Sequence, residues 1–143
     1  MRLHTASEGI SYAKSLEQDS KAFYEFLEET FLEHADLFRE FAMRNEKNWR
    51  DTQRAYYGVI SDAIEGAYSF DLAPEEYALE IDTSNCRSLL EAVNVAIRAE
   101  EVIVEFYEEA AQQSHGLLAD VPRVFRQMSK KHRKRIPELE ALG

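Results

Sequence analysis

The sequence predicts an all-α protein: a four-helix bundle built from two αα-hairpins joined by a long crossover. Three observations carry this. The 143 residues include only five Gly and three Pro, so little interrupts a helix. Apolar residues recur at steps of three and four along four segments, the period of an amphipathic helix. The second half of the chain also echoes the first. The length suits one domain, residues 1–143, with one core.

The first helix is expected to open near Thr5 or Ser7, with Ser7 as N-cap and Glu8 in the first turn, and to run to about Phe31. Its stripe is Ile10, Ala13, Glu17, Ser20, Tyr24, Leu27 and Phe31. A turn around Glu33–Ala35 leads to a second helix with the stripe Phe38, Phe41, Asn45, Asn48, Thr52, Ala55 and Val59, extending toward Ile64 before Gly66. From Gly66 to Ser84 the pattern fades, and GAYSFDLAPEEYALEIDTS reads as the crossover, with a short helical turn after Pro74. The third helix is expected from about Arg87 to Ser114. Gly116 ends the next turn, Asp120 is a candidate N-cap, and Pro122 sits in the first turn of the fourth helix. That helix carries Val121, Phe125, Met128, His132 and Arg135 and is expected to stop before Pro137.

Charge then appears where helix periodicity expects an apolar side chain. The third stripe is Val93, Ala96, Glu100, Ile103, Tyr107 and Ala110, with a carboxylate in its middle. Residues 13–25 align with 96–108, setting Glu17 on Glu100, Phe23 on Phe106 and Tyr24 on Tyr107. Residues 38–48 align with 125–135, setting Asn45 on His132 and Asn48 on Arg135. The spacing from Glu17 to Asn45 is 28 residues and from Glu100 to His132 is 32, so antiparallel hairpins bring these positions to similar depth.

With its paired E-x6-Y units (Glu17/Tyr24 and Glu100/Tyr107) and matching helices opening at Phe38 and Phe125, the chain resembles the ferritin-like superfamily, and within it the rubrerythrin-type proteins. The resemblance implies a ferritin-like bundle in which one Glu from each of the first and third helices joins a Glu-x-x-His pair from each of the other two, together holding two irons. Glu17 and Glu100 match the single carboxylates. The pairs depart from the pattern: in the register set by the two Phe they read Asn45-x-x-Asn48 and His132-x-x-Arg135. Arg cannot ligate a metal, and Asn is a weak neutral ligand. A second register, slid by one residue, restores Glu46 and His132 but turns Glu46 about 100 degrees off the apolar stripe.

The preferred register predicts that Glu17 and Glu100 meet Asn45, Asn48, His132 and Arg135 in a hydrogen-bonded ion cluster that takes the place of two irons. Arg135 is expected to fork onto a carboxylate, and Tyr24 and Tyr107 to bond buried carboxylates. The competing reading puts Glu17 and Glu100 on a flank reaching solvent, and His132 in a solvated basic run, KKHRKR. The expected function is a structural or partner-binding bundle rather than an enzyme, with no cofactor. The alternative is a metal-binding oxidoreductase or iron-handling protein, with a single Fe, Mn or Zn held by Glu17, Glu100 and His132, and Asn45 or Glu46 assisting. The resemblance implies a homodimer, and Tyr56, Tyr57, Tyr68, Phe70 and Tyr77 suggest a self-association surface.

Composition excludes other classes. With 17 Lys and Arg against 27 Asp and Glu, the net charge of −10 repels nucleic acid and anionic membranes. The single Cys86 rules out a CxxC metal or redox pair. No apolar run reaches the ~20 residues of a membrane span, and the N-terminus lacks a signal-peptide core, so a cytoplasmic location is expected. Phosphate-binding Gly loops, HExxH and a Ser/His/Asp constellation are absent.

Overall fold

The computed structural model describes residues 2–59, 68–114 and 121–143. Over these residues it is mostly helical, with four principal helices and a two-stranded sheet. In chain order the elements are β1 (Leu3–Thr5), α1 (Ala6–Thr30), a 3-10 turn (Leu32–His34), α2 (Ala35–Val59) and β2 (Tyr68–Leu72). After these come 3-10 turns at Pro74–Tyr77 and Thr83–Asn85, α3 (Leu89–Gln113), α4 (Val121–Arg133) and a short α5 (Arg135–Glu140). The expected turn after Pro74 is present. Ile64 and Gly66, His115, Gly116 and the proposed cap Asp120 lie outside the described residues.

Local chemistry sets the helix starts. Thr5, not Ser7, caps α1: its hydroxyl accepts from the Glu8 N–H while the Glu8 carboxylate accepts from the Thr5 N–H. Ser88 and Glu91 repeat this reciprocal box at α3. The fourth helix departs from expectation. It breaks at Lys134 and restarts as α5, with Pro137 inside the first turn, where the missing N–H removes no intrahelical bond.

Successive contacts fix the helix directions. Lys21–Glu46 and Glu28–Arg39 pair rising α1 numbers with falling α2 numbers, so these helices are antiparallel. Tyr107–Glu17 and Tyr24–Glu100 show the same sense between α1 and α3. The tightest pairings are α1 with α2 and α3 with α4, and the two hairpins meet through α2–α4 and α1–α3. Two apolar clusters fill the interior, one around Phe106, Tyr107 and Phe125, the other around Tyr24, Phe38 and Phe41. The polar cluster lies between them.

The sheet was not expected. β1 and β2 pair antiparallel, Leu3 opposite Leu72, and press Phe70 onto Gly9 of α1. A Cβ at Gly9 would stand 2.5 Å from the Phe70 ring, so this close approach requires glycine. Tyr56 and Phe70 are in the core, and Tyr77 packs edge-on against Phe106. Of the aromatics suggested as a self-association surface, only Tyr57 is exposed; the side chain of Tyr68 lies outside the described residues. Among the described residues no helix is long and apolar enough to cross a membrane.

Candidate functional site

Helical spacing brings Glu17 and Tyr24 onto one face of α1, and Glu100 and Tyr107 onto one face of α3, each pair two turns apart. Because the helices run oppositely, the pairs cross-link. The Tyr24 hydroxyl donates to Glu100 Oε1 at 2.6 Å, and the Tyr107 hydroxyl donates to Glu17 Oε2 at 2.5 Å. Each carboxylate is thus held by the tyrosine of the other hairpin.

The remaining partners come from α2, α4 and α5. Asn45 Nδ2 donates to Glu17 Oε1 at 2.8 Å, and Asn48 Nδ2 to the same oxygen at 3.4 Å. His132 lies between the two acids: Nδ1 is 2.6 Å from Glu100 Oε2 and Nε2 is 2.8 Å from Glu17 Oε2. Arg135 Nη1 donates to Glu100 Oε1 at 3.2 Å and to Asn45 Oδ1 at 3.1 Å, while Nη2 donates to the Phe41 carbonyl at 3.0 Å. The guanidinium also lies over the rings of Phe41 and Tyr24, at 4.8 and 5.4 Å. Glu17, Asn45, Asn48, Glu100, His132 and Arg135 are all at most 2% exposed, and no buried polar atom of the cluster lacks a partner.

The solvated readings of Glu17, Glu100 and His132 therefore do not hold. Glu46, the ligand of the second register, lies on the outer face of α2, bonded to Lys21 and Arg50. The expected fork of Arg135 onto one carboxylate is also not formed. Glu100 Oε2 is taken by His132 and Oε1 is shared with Tyr24, so the guanidinium divides its donors among three acceptors. Sequence reasoning missed the Phe41 carbonyl, a backbone acceptor that no residue type announces.

Geometry sets the protonation of His132. Both ring nitrogens face carboxylate oxygens, and only the imidazolium can donate from both. Burial alone would lower its pKa, but the negative charges of Glu17 and Glu100 outweigh burial and the opposing charge of Arg135, pushing it up to about 9. Burial likewise pushes both carboxyls up. Even so, the charge and hydrogen bonds of His132, with Arg135 and a tyrosine hydroxyl for each, hold Glu17 and Glu100 below the usual carboxylate value. Tyr24 and Tyr107 are raised well above the ordinary phenol value by burial and by the adjacent carboxylates, so both remain donors. Two carboxylates, one imidazolium and one guanidinium leave the cluster neutral.

This donor set does not fit two irons. Three groups of the right type are present, and a fixed cation, Arg135, occupies an oxygen of Glu100. Nor do the three converge on a single ion: the His132 nitrogens point from opposite edges of the ring at different carboxylates. Among the described residues, no group of three or more His, Cys, Asp or Glu side chains is placed to hold a metal. Compared with models of known families, with characterised proteins and with solved structures, the chain matches none.

Proposed function

We propose that this chain is a ferritin-like bundle in which an imidazolium and a guanidinium take the positions that two metal ions fill in the proteins it resembles, and that its role is structural or partner-binding rather than redox. The observation that carries this reading is His132 spanning Glu17 and Glu100 with both nitrogens, while Arg135 completes the charge balance. The helix directions support it too. With α1 antiparallel to both α2 and α3, the latter two run the same way, as a long crossover between hairpins requires. Removing one member of such a cluster strands a buried charge, whereas the complete set roughly offsets its own desolvation.

Metal analysis of protein purified from cultures supplemented with iron or manganese tests the reading. The expected result is far less than one metal per chain, with unchanged folding. Stoichiometric metal that disappears in Glu100→Ala would overturn it. One observation favours a second reading. A crevice of about 140 Å³ between α1 and α2, lined by Glu17, Asn45, Glu46 and Trp49 among others, gives Glu17 a path from the surface. In that reading one Fe, Mn or Zn would bind at Glu17, Glu100 and His132, and the same metal analysis separates the two. The homodimer implied by the resemblance is checked by sedimentation velocity, with twice the monomer mass expected.

A further inference from the structure

A second feature lies on the other side of Arg135. Between α2 and the α4–α5 junction is a crevice of about 240 Å³ lined by Arg44, Lys47, Asn48, Lys131, Lys134 and Arg135. Five of these six are cationic and none is acidic, in a chain of net charge −10.

The rim charges are only partly offset. Arg44 pairs with Glu40 one turn away on α2, and Lys131 reaches Asp51 only at 3.7 Å. Among the described residues, Lys47 and Lys134 have no ion-pair partner. Both are exposed, whereas Asn48 and Arg135 are each 2% exposed and form the buried part of the lining. Arg135 commits three of its five N–H groups inward, to Asn45, Glu100 and the Phe41 carbonyl. Two donors remain on a buried guanidinium that lines the crevice.

We infer that this crevice is a binding site for a small phosphate-type dianion. Two unpaired ammonium groups match the ~1.5–2 negative charges of a phosphate monoester near pH 7, and Arg135 supplies planar N–H donors suited to its oxygens. The volume lies below the ~300 Å³ at which pockets begin to take drug-sized ligands, which suits one phosphoryl group better than a whole nucleotide. Free phosphate and the phosphoryl group of a small organic ester share this chemistry. The site shares Arg135 and Asn48 with the interior cluster, whereas its rim lysines, Lys47 and Lys134, take no part in that cluster.

Isothermal titration of the full chain at constant ionic strength tests the inference, with inorganic phosphate in one arm and glycerol 3-phosphate in the other. Binding of at least one anion with a Kd of ~1 mM or tighter is expected, and the arm that binds more tightly identifies the source. The double variant Lys47→Ala/Lys134→Ala should weaken it ~10-fold or more, from the loss of two charge-assisted hydrogen bonds. Both side chains are exposed, and circular dichroism checks that the variant keeps its helices. Lys21→Ala, on α1 and paired with Glu46, should leave binding unchanged. Weaker binding of both anions, equal binding by the double variant, or an equal loss in Lys21→Ala would overturn the inference.

Discussion

His132 makes the bundle lose stability as the pH turns alkaline. Its folded pKa of about 9 lies above the ~6.5 of an unfolded histidine, so the folded state holds the proton more tightly. The stabilisation is fully present below pH ~6.5 and is lost as pH rises through about 9. Each pH unit of separation is worth ~1.4 kcal/mol, so the loss across this window is about 3 kcal/mol. Its physical origin is local: deprotonation leaves one N–H for two carboxylates and a net charge of −1 in the interior. Urea unfolding followed by circular dichroism between pH 5 and pH 9.5 measures it. The wild type should hold a plateau near pH 5–6.5 and then weaken, and His132→Gln should be less stable but lose most of that slope. A flat wild-type profile from pH 6.5 to pH 9, or the same slope in His132→Gln, would refute the bridging imidazolium.

Other outcomes follow from the same contacts. The carboxylates act with the opposite sign: their folded pKa values are depressed, so their contribution is present above the unfolded value near 4.5 and lost as pH falls below it, seen as acid unfolding that Glu17→Gln blunts. Arg135→Leu leaves Glu100 short of a countercharge and should cost ~3–5 kcal/mol in urea unfolding, more than replacing Glu17, Glu100, His132 and Arg135 together by apolar residues of similar volume. Tyr107→Phe removes one donor from Glu17 and should cost ~1–3 kcal/mol, with helix content unchanged. Gly9→Ala should destabilise, because ~1–3 kcal/mol of overpacking against Phe70 exceeds the ~1 kcal/mol of helix propensity gained; in a Phe70→Leu background the same change should stabilise.

Much of the site was legible because helices carry their geometry in their spacing. Glu100 stands out by occupying an apolar position, and the Phe38 and Phe125 register alone places Asn45, Asn48, His132 and Arg135 at its level. The crossed tyrosine bonds were harder to read, since α1–α3 pairing depends on helix direction across a long connection. The β1–β2 pair was not legible: Leu3, His4 and Thr5 are too few to show a period, and their partners lie more than sixty residues away. The break at Lys134 was signalled by Pro137, which has no N–H for the Arg133 carbonyl, but the restart of the helix through that proline was not legible. The backbone at Lys134 stays in the helical region (φ −64°, ψ −22°), so Arg135 keeps the i, i+3 face of His132 and meets Glu100.

The exchange of tyrosine hydroxyls between the two hairpins means that neither is self-sufficient. Alone, α1 with α2 would expose its inner apolar face and leave Glu17 without Tyr107 or His132, and α3 with α4 would do the same and leave Glu100 without Tyr24. Such halves gain their stability only in each other's company, so the chain should melt in a single cooperative step. Two fragments divided between α2 and α3 should recover helical order when mixed and not when apart. The arrangement is that of a symmetric pair of hairpins, each finishing the other, tethered into one polypeptide.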